Sequence, residues 1–149
     1  MSKVLTIGEA MGLLIAEEMG PLEEVEHFSR HVCGAELNYA VGMARLGNDV
    51  SYISKVGVDP FGKCICNFLK ANGIHDDYVW TDDDHMTGFQ MKEKVLEGDP
   101  TVANIRKHTA FSHFDRRTSP VSTGPASTTC TSRGFPWPCR NHAGKRFIR

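Results

Sequence analysis

Asn38 is the residue in this chain whose setting most invites a chemical explanation. It lies four positions after Gly34 in the stretch CGAELNYAVGMARLGNDVSYISKVGVDPFG, residues 33–62, at the start of an otherwise apolar helical segment. A carboxamide donates and accepts hydrogen bonds at once. At a helix start it either bonds local backbone or serves a ligand that needs both functions. The other reactive side chains form weaker patterns. The five cysteines include no C-x-x-C pair, and Cys64 and Cys66 flank Ile65 in a helical stretch where side chains two apart diverge. Reduced thiols are therefore expected over zinc or disulfide use. The seven histidines form no ligand cluster with them, and Asp82-Asp83-Asp84 reads as a solvated turn and not a metal site. No P-loop is present.

The elements that must position Asn38 follow from periodicity. KVLTIG, residues 3–8, reads as a buried strand ending on glycine. Residues 12–33, broken by Gly20-Pro21, read as a strand pair projecting from the main sheet. Leu37, Ala40, Val41 and Ala44 recur on one helix face, which Gly47-Asn48 terminates. A strand over 49–54 follows. Asp59-Pro60 then supplies an N-cap and a first-turn proline for a helix whose apolar face is Phe61, Cys64, Phe68 and Leu69, ended by Asn72-Gly73. Asp77–Trp80 reads as another strand, and 87–95 with 101–109 as a hairpin across Gly98-Asp99-Pro100. Alternating strands and helices with short connectors imply an α/β fold with a parallel sheet flanked by helices.

Length and composition agree with one globular domain: 149 residues, 40% hydrophobic and 23% charged. The short apolar run at 3–7 is unlike a signal peptide, and no segment approaches the roughly 20 apolar residues that span a bilayer. A cytoplasmic protein without membrane association is expected. The net charge of −1 conceals a split: residues 1–113 carry 17 acids and 10 Lys/Arg, while 114–149 carry one acid, Asp115, and seven Lys/Arg.

Residues 34–62 resemble the first signature of the ribokinase-like (PfkB) carbohydrate kinases, at Gly34, Ala35, Asn38, Ala40, Gly47, Gly57, Asp59 and Gly62. Within that family GEAMG, GAELN, TGFQMK and IRKHTAFS are most similar to the 2-keto-3-deoxygluconate kinases, and the likeness covers about residues 3–113. The resemblance implies a ribokinase-like parallel sheet with a small β-lid built from about 12–33 and 87–109. It implies a sugar or sugar acid held above the C-terminal edge of the sheet. Gly34 and Ala35 would let backbone approach the sugar. Asn38 would bind its hydroxyls, which reverses the local-backbone reading that the residue invites alone. Many relatives carry an Asp near the position of Leu13; its loss here suits a substrate that is itself a carboxylate, with Arg106 as the bidentate partner and Gln90 adding a hydrogen bond. On spacing alone Arg106 reads equally as a solvated hairpin charge. Glu9 would face the same cleft. The lid would exclude water and in such kinases commonly builds a homodimer, with Phe28, Val32 and Phe89 as interface candidates.

The resemblance also implies ATP and Mg²⁺, held in these kinases by a second half whose G-A-G-D stretch carries the catalytic Asp and an anion hole. That stretch is absent here. The chain is therefore expected to be a truncated, inactive sugar-binding half with no catalytic, cofactor-binding or metal-binding residue of its own and little affinity for ATP. A sheet cut part-way is expected to leave an open edge and an aggregation-prone product. A fructokinase- or nucleoside-kinase-type substrate is the nearer alternative; a non-catalytic module with a nucleic-acid-binding tail is the further one.

Residues 114–149 lose the acids and the apolar period together. An irregular, disordered basic tail produced by a one-base frameshift near His113 accounts for both. With permitted codons, Thr128 to Cys139 re-reads in the neighbouring phase as HLHITGIPLAL, a hydrophobic strand ending in T-G and then more apolar residues. Sequencing the coding DNA around His113 and past Arg149 checks this: the shifted phase should continue the apolar period, and an undamaged phase through the basic segment would refute it.

Overall fold

A computed structural model describes residues 2–115; the frameshift and the basic tail concern residues that, beyond Asp115, lie outside the described part. The elements in chain order are β1 (Lys3–Ile7), β2 (Met11–Met19), β3 (Phe28–Cys33), α1 (Ala35–Arg45), β4 (Asp49–Gly57), α2 (Pro60–Ala71), β5 (His75–Asp82), β6 (Phe89–Lys94) and β7 (Val102–Ile105), followed by a 3₁₀ turn at Ala110–His113. β1, β4 and β5 form a parallel sheet in the order β1-β4-β5, with Thr6 opposite Tyr52 and Ile53 opposite Tyr78. A second sheet has the order β3-β2-β6-β7. Its two outer pairs are antiparallel, and its central pair, β2 with β6, is parallel with Gly12 opposite Phe89.

The parallel sheet buries one face beneath both helices. Val4, Val50, Tyr52 and Val56 meet Leu37, Ala40 and Val41 of α1, and Ile65 and Leu69 of α2. Each such aliphatic side chain, fully buried, contributes roughly 1.5–3 kcal/mol. The face expected of α2 is displaced: Ile65 is fully buried while Cys64, Phe61 and Phe68 are half-buried. The reason is that α2 packs against two different partners. Its Ile65 and Leu69 lie on the parallel sheet, whereas Phe61 in its first turn leans over Gly12 of β2 and stacks on Phe89 of β6 at 5.3 Å between ring centres. Phe89 is thereby engaged within the chain, and Val32 packs against the core beside α1.

The side chains of Leu5, Tyr78 and Trp80 alternate with those beneath the helices and are half-buried. Over this second face lies the 3₁₀ turn, with Phe111 buried and the Phe114 ring 5.5 Å from Trp80. Among the described residues β1 and β5 each pair along one edge, with β4.

The V-G-V-D-P-F-G segment ties the two sheets together. Asp59 caps α2, accepting from Gly62 N–H at 2.8 Å, and its other oxygen accepts from Thr87 N–H at 2.7 Å. Thr87 Oγ1 accepts from Gly57 N–H at 2.9 Å. The end of β4, the start of α2 and the approach to β6 are thus one hydrogen-bonded unit, a purpose for Asp59 beyond the helix cap the sequence predicts.

A methyl group at Gly12 would fall 2.2 Å from Cδ1 of Phe61. Gly12→Ala should therefore force the Phe61 ring off Phe89 and destabilise the chain by about 1–3 kcal/mol, read as a lowered urea midpoint with unchanged slope.

Candidate functional site

Where the second sheet joins the first there is a cavity of about 390 Å³, and all five residues singled out in the sequence line it. Gly34, Ala35 and Asn38 reach it from the start of α1, Gln90 from β6, and Arg106 from just beyond β7. Gly34 has φ +146°, a region open to glycine and strained for other residues, and a Cβ there would lie 2.8 Å from the Glu9 carbonyl oxygen. Glycine is required at this place by the backbone, whatever ligand approaches.

Asn38 is exposed, and its backbone N–H donates to Gly34 O at 2.9 Å as the first bond of the helix. Its carboxamide has no hydrogen-bond partner among the described residues and borders the cavity. The local-backbone alternative is therefore not what its side chain does. Gln90 is more constrained: its Nε2 donates to Asn104 Oδ1 at 2.7 Å, and its Oε1 accepts from the Cys33 thiol at 3.5 Å. One N–H and one lone pair of that amide remain. Burial pushes the Cys33 thiol up, with Arg106 opposing and Glu9 adding to the shift, so it acts here as a hydrogen-bond donor.

Arg106 is not a solvated hairpin charge. Its Nε and Nη2 donate to Glu9 Oε2 at 2.8 and 2.6 Å, and Thr109 Oγ1 donates to Glu9 Oε1 at 2.8 Å. The Glu9 side chain is 8% exposed and that of Arg106 51% exposed. One edge of the guanidinium is spent on Glu9, and the residue still reaches the cavity wall. Glu36, at the first turn of α1, adds a second buried carboxylate to the lining. Tyr52 lies deep in the core, and burial, then Glu36 and Glu9, hold its hydroxyl strongly in the protonated form. The arrangement can bind, orient and shield a polar molecule. It offers carboxamides for hydroxyls and half of a guanidinium fork for an oxyanion.

Residues 1–121 match the description "pfkB family carbohydrate kinase". The chain belongs to that family. It is 43% identical over 109 residues to a 2-dehydro-3-deoxygluconokinase of Bacillus subtilis (strain 168), covering 72% of this chain and 34% of that one. Among solved structures it is similar to a PfkB protein from Polaromonas sp. JS666, with a TM-score of 0.77, 41% identity, and coverage of 82% of this chain and 41% of the other. It is also similar to a Pyrococcus horikoshii sugar kinase solved in complex with ATP, with a TM-score of 0.71, 33% identity, and coverage of 77% and 37%. The chain spans about a third of the length of the curated relatives it matches. The ribokinase-like α/β fold expected from the signature is the fold these structures share with it.

Kinases of this family bind ATP, as the Pyrococcus complex illustrates. Among the described residues no three acidic, histidine or cysteine side chains are grouped to hold a cation. No P-loop and no G-A-G-D stretch occurs in the 149 residues. No step of phosphoryl transfer is assigned to them. Among the described residues no helix is long and apolar enough to cross a membrane.

Three polar side chains carry more weight than their sequence context signalled. Glu36 lines the cavity and Thr109 bonds Glu9 beside it, and spacing gives neither a role. Asp82, expected in a solvated turn, is buried at the end of β5. It pairs with Lys55 Nζ at 2.5 Å and accepts from the backbone N–H of Asp84 and His85 at 2.9 and 3.1 Å. The adjacent strand β4 supplies the Lys, which is why the carboxylate turns inward. His85, next to Asp82, stacks on His113 of the 3₁₀ turn at 3.7 Å.

Lys55, then the Asp84 N–H and His85, hold the Asp82 carboxyl well below its ordinary value of 3.8. A carboxyl with a lowered folded-state pKa adds stability that is complete above the unfolded value and is lost as pH falls through the folded one. Asp82 should therefore contribute fully from neutral pH down to about pH 5, and its contribution should fade below about pH 4. Asp82→Asn should lower Tm at pH 7 by roughly 5 °C and flatten the acid limb of a Tm-against-pH curve.

Proposed function

We propose that this chain carries the sugar-binding part of a carbohydrate kinase whose acceptor is a sugar acid of the 2-keto-3-deoxygluconate type. By itself it binds that acceptor without phosphorylating it. The observation carrying the reading is the convergence of Asn38, Gln90 and Arg106 with the glycine-led start of α1 on one cavity. An unpartnered carboxamide suits sugar hydroxyls, and the free edge of a guanidinium suits a carboxylate. The identity to a 2-dehydro-3-deoxygluconokinase supports the acid in particular. The second sheet, residues 11–33 and 89–105, serves in this reading as the lid over the acceptor. Transfer of the γ-phosphoryl group needs a base and an electrostatic clamp that the described residues do not supply.

A second reading, a neutral acceptor of the fructose or nucleoside kind, is favoured by two observations. Glu9 already occupies part of Arg106, and Glu36 brings a further carboxylate to the wall. The nucleic-acid reading rests on the basic segment, nearly all of it outside the described residues, and no observation favours it.

Calorimetric titration of the 149-residue chain with 2-keto-3-deoxygluconate and with fructose decides between the two. The acid should bind at least about tenfold tighter, a difference of about 1.4 kcal/mol. Asn38→Ala should weaken both ligands, and Arg106→Ala the acid alone. Equal or tighter fructose binding would favour the neutral acceptor, and sugar-dependent release of ADP from ATP would refute inactivity.

A further inference from the structure

The main chain passes between the two sheets four times. It leaves the parallel sheet after β1, at Gly8 to Ala10, and returns at Gly34 between β3 and α1. It leaves again at Thr87-Gly88 before β6, and returns through Arg106 to Thr109 after β7. Glu9 stands on the first passage and touches the other three. Its carbonyl oxygen would lie 2.8 Å from a Cβ at Gly34, and its Oε1 would lie 2.6 Å from a Cβ at Gly88. Its Oε1 accepts from Thr109, and its Oε2 accepts two donors of Arg106. A carboxylate kept this far from water needs donors, and these three supply them. Glu9 is at the same time a wall of the cavity.

We propose that Glu9 is a positioning residue: a single buried carboxylate that fixes the plane of Arg106 at the cavity wall and clasps the four passages of chain between the sheets. The inference rests on the acceptor-binding reading for its ligand consequences and stands apart from it for its geometry. A guanidinium presents its donors in one rigid plane. Holding Nε and Nη2 therefore decides where the remaining edge points, and restricts a side chain that is otherwise half in solvent. The clasp also makes the return passage, Arg106 to Thr109, part of the same unit as the exit after β1. A ligand pulling on Arg106 acts on the junction of both sheets.

The test uses Glu9→Gln, which preserves size and one acceptor oxygen, in the full chain. The first readout needs no ligand. In the unaltered chain the Arg106 Nε–H should give a protected proton–nitrogen resonance. In Glu9→Gln that resonance should lose protection by tenfold or more while β4 amides keep theirs. An Arg106 Nε–H that already exchanges as a free guanidinium does in the unaltered chain would overturn the clasp. The second readout is titration with 2-keto-3-deoxygluconate and fructose. Positioning predicts a tenfold or greater loss for the acid, less than threefold for fructose, and no further loss when Glu9→Gln is added to Arg106→Ala. Parallel loss of both ligands, additivity with Arg106→Ala, or tighter binding of the acid would each overturn it. If the unaltered chain binds neither sugar, the acceptor reading fails and the exchange measurements still decide the clasp.

Discussion

Everything about the candidate site depends on a crowding problem at the seam between two sheets. Four passages of main chain converge within a few ångströms, and they fit because two of them carry no side chain at the point of contact. A Cβ at Gly34 would strike the Glu9 carbonyl, and one at Gly88 the Glu9 carboxylate. Backbone brought this close must also satisfy its own polar groups. The seam does so with side chains: Asp59 takes Thr87 N–H, Thr87 takes Gly57 N–H, and the Glu9 carboxylate takes the Thr109 hydroxyl and Arg106. The cavity is the space left beside that knot, so the same constraint that joins the sheets sets which side chains can surround a ligand.

The elements were legible because their signals are local. Period 3.6 in α1, the Asp59-Pro60 start of α2, Asn72-Gly73 at its end and the turn glycine at 98, with φ +80°, all act within a few residues. β5 reads from the sequence as 77–80 and extends over 75–82, because His75 and Asp76 conceal its start: as an edge strand of the described sheet, it tolerates polar side chains. The seam was illegible for the opposite reason. Glu9 lies 97 residues from Arg106 and 100 from Thr109, so nothing in spacing announces their contact. The inward turn of Asp82 likewise depends on Lys55 from the neighbouring strand. Gly34 and Asn38 belong to the pattern of glycines, an Asn and an Asp that resembles the family signature, and Gln90 and Arg106 follow from the acceptor that resemblance implies, not from spacing. That resemblance places Glu9 at the cleft but does not show that it neutralises Arg106.

The partner changes what Arg106 can offer. A lone guanidinium facing a cavity attracts any anion, phosphate included. One already bound along an edge is close to neutral overall at a distance and retains its directionality at contact. Lysine in the same place would lose this, since a point charge paired with Glu9 has no second edge. A fork held in this way selects by geometry more than by field. In the proposed acceptor site, selectivity would come from how firmly the fork is held, which places the determinant on the buried Glu9 carboxylate behind Arg106.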